Sequence, residues 1–198
     1  MTRAVFVTAP ETFRDEEYKI PKKILEDNGI TVITASNKLG EITGRFGFKT
    51  VSDITLENIK LEDFDGIVFI GGGGAKVFFN DSNALNLANQ FSKSGKITAA
   101  ICIAPTILAN AGILKGKKAT VFPDGIEALN KGGAVYAGNA LEIDGNIITA
   151  NHADAAEIFG KAVLKQLIDK RLLLSLRGAL KRDAAIQKKV VKKQKVIK

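Results

Sequence analysis

The sequence predicts one α/β domain with a mostly parallel central sheet, and three observations carry that expectation. Short β-rich apolar runs alternate with longer segments of helical period. The runs are about five to seven residues long, and the segments between them allow helices of about three to four turns, as right-handed crossovers require. The 198 residues, 45% apolar and 25% charged, fit one soluble domain with a sizeable core.

In chain order, "RAVFVTA" (3–9) is the first strand. "DEEYKIPKKILEDNG" (15–29) is the first helix, closed by Gly29 as a C-cap, with Pro21 expected to kink it or mark a restart. "ITVITAS" (30–36) is the second strand, and the polar, Gly-rich segment 37–53 holds a hairpin around "TGRFGFKTV". "FDGIVFI" (64–70) is a buried strand running into "GGGGAKVFFN", after which a helix is expected through about residue 93. "ITAAI" (97–101) is the next strand and ends at Cys102, followed by a helix over 103–112. "GILKGKKATVF" leads into a further strand, and "GAVYAGNALEIDGNIITA" reads as two short strands around the turn Asp144 to Asn146. The last helix of the body is "DAAEIFGKAVLKQLIDK" (154–170).

One cysteine and one histidine exclude an intramolecular disulfide and a Cys/His zinc cluster, and point to a reducing compartment such as the cytoplasm. The N-terminal apolar run is far too short for a signal-peptide core, and no segment reaches the roughly 18 apolar residues of a membrane span. Net charge is +8, unevenly placed. Residues 171–198 hold ten Lys or Arg against one acid, Asp183, while the other 170 residues hold 19 bases against 20 acids.

Cys102 follows a central strand and precedes a helix. Free cysteine is commonly a buried apolar filler. Its position, at the carboxyl end of a central strand, is where open α/β sheets bind ligands. A helix beginning directly after it would aim N–H groups at the sulfur and favour thiolate. Ala99, Ala100 and Ala104 permit the tight turn of a nucleophile elbow, and Pro105 suits a first helical turn. The four glycines Gly71 to Gly74 can present N–H groups to an anion or oxyanion, or serve only as a tight turn. They form neither a Walker motif nor a dinucleotide fingerprint. Glu16 and Glu17 can complement the dipole of the first helix, or place a carboxyl group beside Cys102 at the same sheet edge.

Taken together, these segments resemble the DJ-1/PfpI (ThiJ) superfamily, over roughly residues 2–169. "AAICIAP" matches its nucleophile elbow with Cys102 as nucleophile, "EYKIP" places Glu17 as the protonated acid, and "FDGIVFIGGGG" matches the strand and Gly-Gly turn. "DGNIITAN" and the helix after it match the last strand and helix of the family. The resemblance implies a flavodoxin-like three-layer sandwich with a nucleophile elbow, and oxyanion donors at the N–H groups of Gly72 and Ile103. It implies action on small reactive carbonyls such as 2-oxoaldehydes, or on their adducts on amines and thiols, including those on modified proteins. Cys102 would form a hemithioacetal, with no metal or organic cofactor needed, in a homodimer. Two departures matter: Ile103 stands where a peptidase-like relative carries histidine, and Phe122 where another branch does. A Cys-His protease is thereby disfavoured. A non-catalytic redox sensor or stress-protective protein, with Cys102 oxidised beside Glu17, is the rival reading.

His152 is the only histidine, and can serve as base or substrate contact, or be a loop residue before the capping-box-like "DAAE". In the tail, Leu173, Leu176, Leu180 and Ala184 recur at helical spacing, which predicts an amphipathic helix docked on the body or a partner, with the last ten or so residues frayed. Its lysines are a solubilising end, or a weak, salt-sensitive contact for nucleic acid or another acidic surface. No aromatic residue interleaves them to stack on bases.

Overall fold

Alternation within the first strand sets the layering. In β1 (Arg3–Val7), Ala4 and Phe6 point to one side of the sheet and Val5 and Val7 to the other, all fully buried, as a two-residue period requires. The computed structural model describes residues 1–196, with the side chains of Leu174 and of residues 181–196 outside the description. After β1 come β2 (Glu11–Phe13), α1 (Asp15–Asp27), β3 (Thr31–Ser36), β4 (Gly40–Gly44), β5 (Lys49–Ser52), β6 (Ile54–Thr55) and β7 (Gly66–Phe69). Then follow α2 (Ser82–Lys93), β8 (Ile97–Ile101), α3 (Pro105–Asn110), β9 (Lys118–Ala119) and α4 (Ile126–Lys131). β10 (Val135–Tyr136), β11 (Leu141–Asp144), β12 (Ile147–Ala150) and α5 (Ala156–Val196) complete the chain.

The main sheet has seven strands in the order β11-β12-β8-β7-β1-β3-β6, parallel throughout except for β11, which pairs antiparallel with β12. One face is covered by α1 and α5 through Tyr18, Leu25, Phe159 and Val163. The other is covered by α2 and α3 through Leu87, Phe91, Ile107 and Leu108. This is the three-layer α/β sandwich expected from the sequence. From β1 the chain moves outward to β3 and β6, then returns to β7 and moves the other way, so the order reverses between β1 and β7. The crevice where such sheets usually bind ligands lies at the carboxyl ends of these strands.

Several elements differ from expectation. Pro21 neither ends nor restarts α1; its ring packs against α5 at Gly160, where a Cβ would come 2.9 Å from Pro21 Cα. No helix follows the glycine turn directly. A 3-10 segment, Gly73–Phe78, intervenes, and α2 starts afresh where Asp81 accepts the Ala84 N–H at 2.8 Å. The helix expected over 103–112 covers only Pro105–Asn110. The strand expected after "GILKGKK" shrinks to β9, paired with β10 outside the main sheet. The hairpin around residue 45 is present as β4–β5, but β2, unforeseen, adds to it in a separate three-stranded sheet.

The helix expected to end near residue 170 continues unbroken through Val196. Among the described side chains its last buried apolar one is Leu167. Leu173, Leu176 and Leu180, expected to dock on the body, are 52%, 55% and 68% exposed. Leu, Arg, Lys and Ala sustain the helix by propensity without such docking. The frayed end is likewise helical as far as Val196; the Ala184 side chain and residues 197 and 198 lie outside the described residues. Among the described residues no helix is long and apolar enough to cross a membrane.

Candidate active site

Three neighbouring strands, β1, β7 and β8, deliver their carboxyl ends to one place. β8 leads directly into Cys102, whose φ of +62° is unusual for a residue with a Cβ. The strained backbone is held from both sides: the Cys102 N–H donates to Ala150 O at 2.8 Å, and its carbonyl accepts the Phe122 N–H at 2.8 Å. These contacts fix the tight strand-to-helix turn at Cys102 that the sequence predicts. The helix dipole contributes less than expected, because α3 starts three residues beyond Cys102 and has only six residues. The groups that reach the sulfur are the N–H of Gly72 and the N–H of Ile103.

β7 runs into the glycine turn, which lies against the backbone of β2. Arg14 N–H donates to Gly71 O at 3.2 Å, and Phe13 bridges Gly72. The contact leaves no room for side chains. A Cβ on Gly71 would come 2.6 Å from Glu17 Oε2, one on Gly72 2.4 Å from Arg14 N, and one on Gly74 2.0 Å from Glu11 O. Gly72 also has φ +92°. Tight packing and donor presentation are therefore the same feature, not alternatives. Gly72→Ala is expected to cost about 2–4 kcal/mol in a urea titration, and Gly73→Ala, whose Cβ meets nothing nearer than 3.9 Å, about 1 kcal/mol or less. Equal losses for the two would refute crowding as the reason for glycine.

β1 leads through β2 into α1, where three successive acids have three separate partners. Asp15 is buried and ties the hairpin, Oδ2 accepting from Phe46 N–H at 3.0 Å and Oδ1 from Phe48 N–H at 2.9 Å. Glu16 pairs with Arg14 at 2.9 Å on the surface. Glu17 is fully buried beside Cys102, with Oε2 accepting the Gly71 N–H at 3.1 Å and Oε1 lacking any hydrogen-bond partner. The dipole reading thus gives way to specific contacts. Sequence reasoning missed Asp15; the excess of acids over what one helix start needs was the available signal.

The two buried groups govern each other's protonation. Burial raises the Glu17 carboxyl to about 7, against hydrogen bonds from Cys102 and the Gly71 N–H and the charge of Arg14. Burial, then the Glu17 charge and its hydrogen bond, push the Cys102 thiol up to about 12, while the Gly72 and Ile103 N–H groups pull it down. So a standing thiolate is not favoured while Glu17 is ionised, and the raised Glu17 carboxyl accords with the protonated acid expected from the sequence. Two of the three raising causes, however, exist only while Glu17 is ionised. Moving the thiol proton to the carboxylate keeps the net charge and turns Glu17 from a repelling neighbour into a donor. The pair titrates as a unit.

Cys102, Glu17, Gly72 and Ile103 share a cavity of about 300 Å³ with Phe122 and His152, and Arg14, Arg45, Lys76 and Asp124 also line it. This is the small end of ligand pockets, roughly 300–1,000 Å³. His152 stacks on Phe122 at 5.9 Å between ring centres, tilted 21°. Its Nδ1 lies 3.3 Å from the Asp154 N–H and 3.0 Å from Asp154 Oδ2. His152 therefore caps the 3-10 turn itself, in place of the capping box expected from Asp154, and Glu157 pairs instead with Lys161.

The DJ-1/PfpI family model matches residues 2–166. An uncharacterized protein of Methanocaldococcus jannaschii is 41% identical over 168 residues, 83% of this chain and 82% of that protein. A deglycase of Pyrococcus horikoshii is 32% identical over 148 residues, 75% of this chain and 89% of that protein. The crystal structure of a ThiJ/PfpI domain protein from Brachyspira murdochii superposes with a TM-score of 0.83 at 30% identity, covering 84% of this chain and 96% of that one. With the flavodoxin-like sheet, the elbow at Cys102 and a match over most of its length, the chain belongs to the DJ-1/PfpI family.

Proposed function

We propose that the protein is a cysteine-dependent enzyme acting on small reactive carbonyls, 2-oxoaldehydes or their adducts on amines and thiols. The observation that carries this is the unpartnered Oε1 of Glu17, buried beside the Cys102 thiol in a cavity sized for a few carbon atoms. The similar Pyrococcus protein, a deglycase, supports the same reading. In the proposed reaction Cys102 Sγ bonds to the aldehyde carbon as its proton passes to Glu17, and the carbonyl π pair moves onto oxygen. The Gly72 and Ile103 N–H groups stabilise that oxyanion. Glu17 returns that proton to the oxyanion, completing the hemithioacetal, and as a carboxylate again moves the carbon-bound proton from the former aldehyde carbon to its neighbour, giving a thioester that water hydrolyses to a 2-hydroxy acid with return of the thiol. Ile103 and Phe122 offer no base, so Glu17 carries every proton transfer.

The test is methylglyoxal consumption with quantitation of the 2-hydroxy acid. No turnover by a folded wild-type protein, with Cys102 oxidised by peroxide, would favour the redox-sensor reading, for which the apolar Ile103 and Phe122 speak. His152 serves as a wall against substrate, its Nδ1 being engaged at Asp154. His152→Ala is therefore expected to change kcat/KM less than about tenfold and chiefly through KM, whereas loss of a general base would lower kcat about 10²–10⁴-fold.

A further inference from the structure

The opposite edge of the sheet, where β1, β7 and β8 begin, holds a second cavity of about 320 Å³ that no part of the reaction uses. Thr2, Asp65 and Lys96, which immediately precede those three strands, line it together with Ser94, Lys170 and Arg171. Lys96 is fixed: its Nζ donates to Leu61 O at 2.6 Å and to Phe64 O at 2.5 Å, which leaves one N–H of the ammonium uncommitted. Lys170 arrives from α5, its Nζ 3.7 Å from the Cβ position of Gly95 in the turn just before Lys96. Asp65 is the one carboxylate present, and its Oδ2 already accepts the Arg3 N–H at 2.9 Å. Among the described residues none of the three cations has an ion pair.

We propose that this cavity binds a phosphate group, held by Lys96, Lys170 and Arg171 with the Thr2 hydroxyl beside it. Three cations converge on a concave site against one committed carboxylate, an arrangement that repels itself until an anion enters. Burial, then the charge of Lys96, already pull Lys170 below the ordinary ammonium value, with Asp65 opposing. A bound dianion relieves that repulsion and satisfies the free donors with charge-assisted hydrogen bonds. The site has room for a phosphate ester and not only the free ion.

Calorimetric titration of the full chain with inorganic phosphate, against sodium chloride at equal ionic strength, tests the assignment. Saturable binding is expected, weakened at least about tenfold by Lys170→Met and largely restored by Lys170→Arg. Arg45→Ala, which removes a cation from the Cys102 cavity instead, should leave it intact. Glycerol 3-phosphate and vesicles containing phosphatidic acid separate the sources: binding of the first identifies a soluble ester, and of the vesicles alone a lipid headgroup, with Lys170 required in either case. Absence of saturable binding, or loss with Arg45→Ala but not with Lys170→Met, overturns the proposal. All variants should retain the wild-type far-ultraviolet spectrum, and Cys102 alkylation should be unchanged in Lys170→Met.

Discussion

Cys102→Ser is expected to lower methylglyoxal turnover more than about 10³-fold while leaving the thermal midpoint near that of wild type. Serine fits the same φ of +62° as poorly as cysteine does, so the elbow's strain is unchanged and the effect falls on chemistry alone. A hydroxyl cannot hand its proton to a carboxylate titrating near 7 as a thiol can, and so it forms no comparable nucleophile. Alkylation by iodoacetamide gives the companion measurement. Because the pair shares one proton, the rate should rise with an apparent midpoint near 7, set by Glu17, below the roughly 8.5 of a free thiol. Turnover that survived Cys102→Ser would remove the cysteine mechanism and leave the fold assignment untouched.

Glu17→Gln should act on rate and stability in opposite directions. The amide cannot carry protons, so kcat should fall about 10²–10⁴-fold. Stability should rise with pH relative to wild type. In the unfolded chain Glu17 titrates at its ordinary 4.5, in the folded protein at about 7. Between those values the native state holds a proton that the unfolded state has lost. The contribution is full below 4.5 and is lost as pH rises through 7, when an ionised carboxylate must stay buried. The separation corresponds to about 3 kcal/mol. The variant should therefore match wild type near pH 4 and exceed it by about 3 kcal/mol at pH 8 in urea titrations. An advantage that did not change with pH would show that Glu17 titrates normally.

The fold was legible because its signals are local. Alternation in β1 and the apolar runs 64–70 and 97–101 place the central strands, and a parallel sheet then dictates crossovers. Cys102, Glu17, Gly72 and Ile103 could be brought together because each follows the carboxyl end of one of three such strands. The misses depend on tertiary contact. β2 exists as a strand only by pairing with β4, and Asp15 acts on a hairpin some 30 residues away. Pro21 inside α1 packs closely on Gly160 of α5, a fit no window of sequence displays. The state of the thiol is likewise set by tertiary contact: burial is the largest cause raising it, followed by the Glu17 carboxylate that α1 brings beside it.

The course of α5 has a consequence for how the molecule meets its surroundings. Ala153, just before the helix, borders the Cys102 cavity, and Lys170 and Arg171 border the cavity at the opposite edge. Beyond them the helix runs on through Val196, about 40 Å. The body is close to electroneutral and the extension holds most of the positive charge. The centre of charge is thus displaced from the centre of mass, and the molecule is a strong permanent dipole.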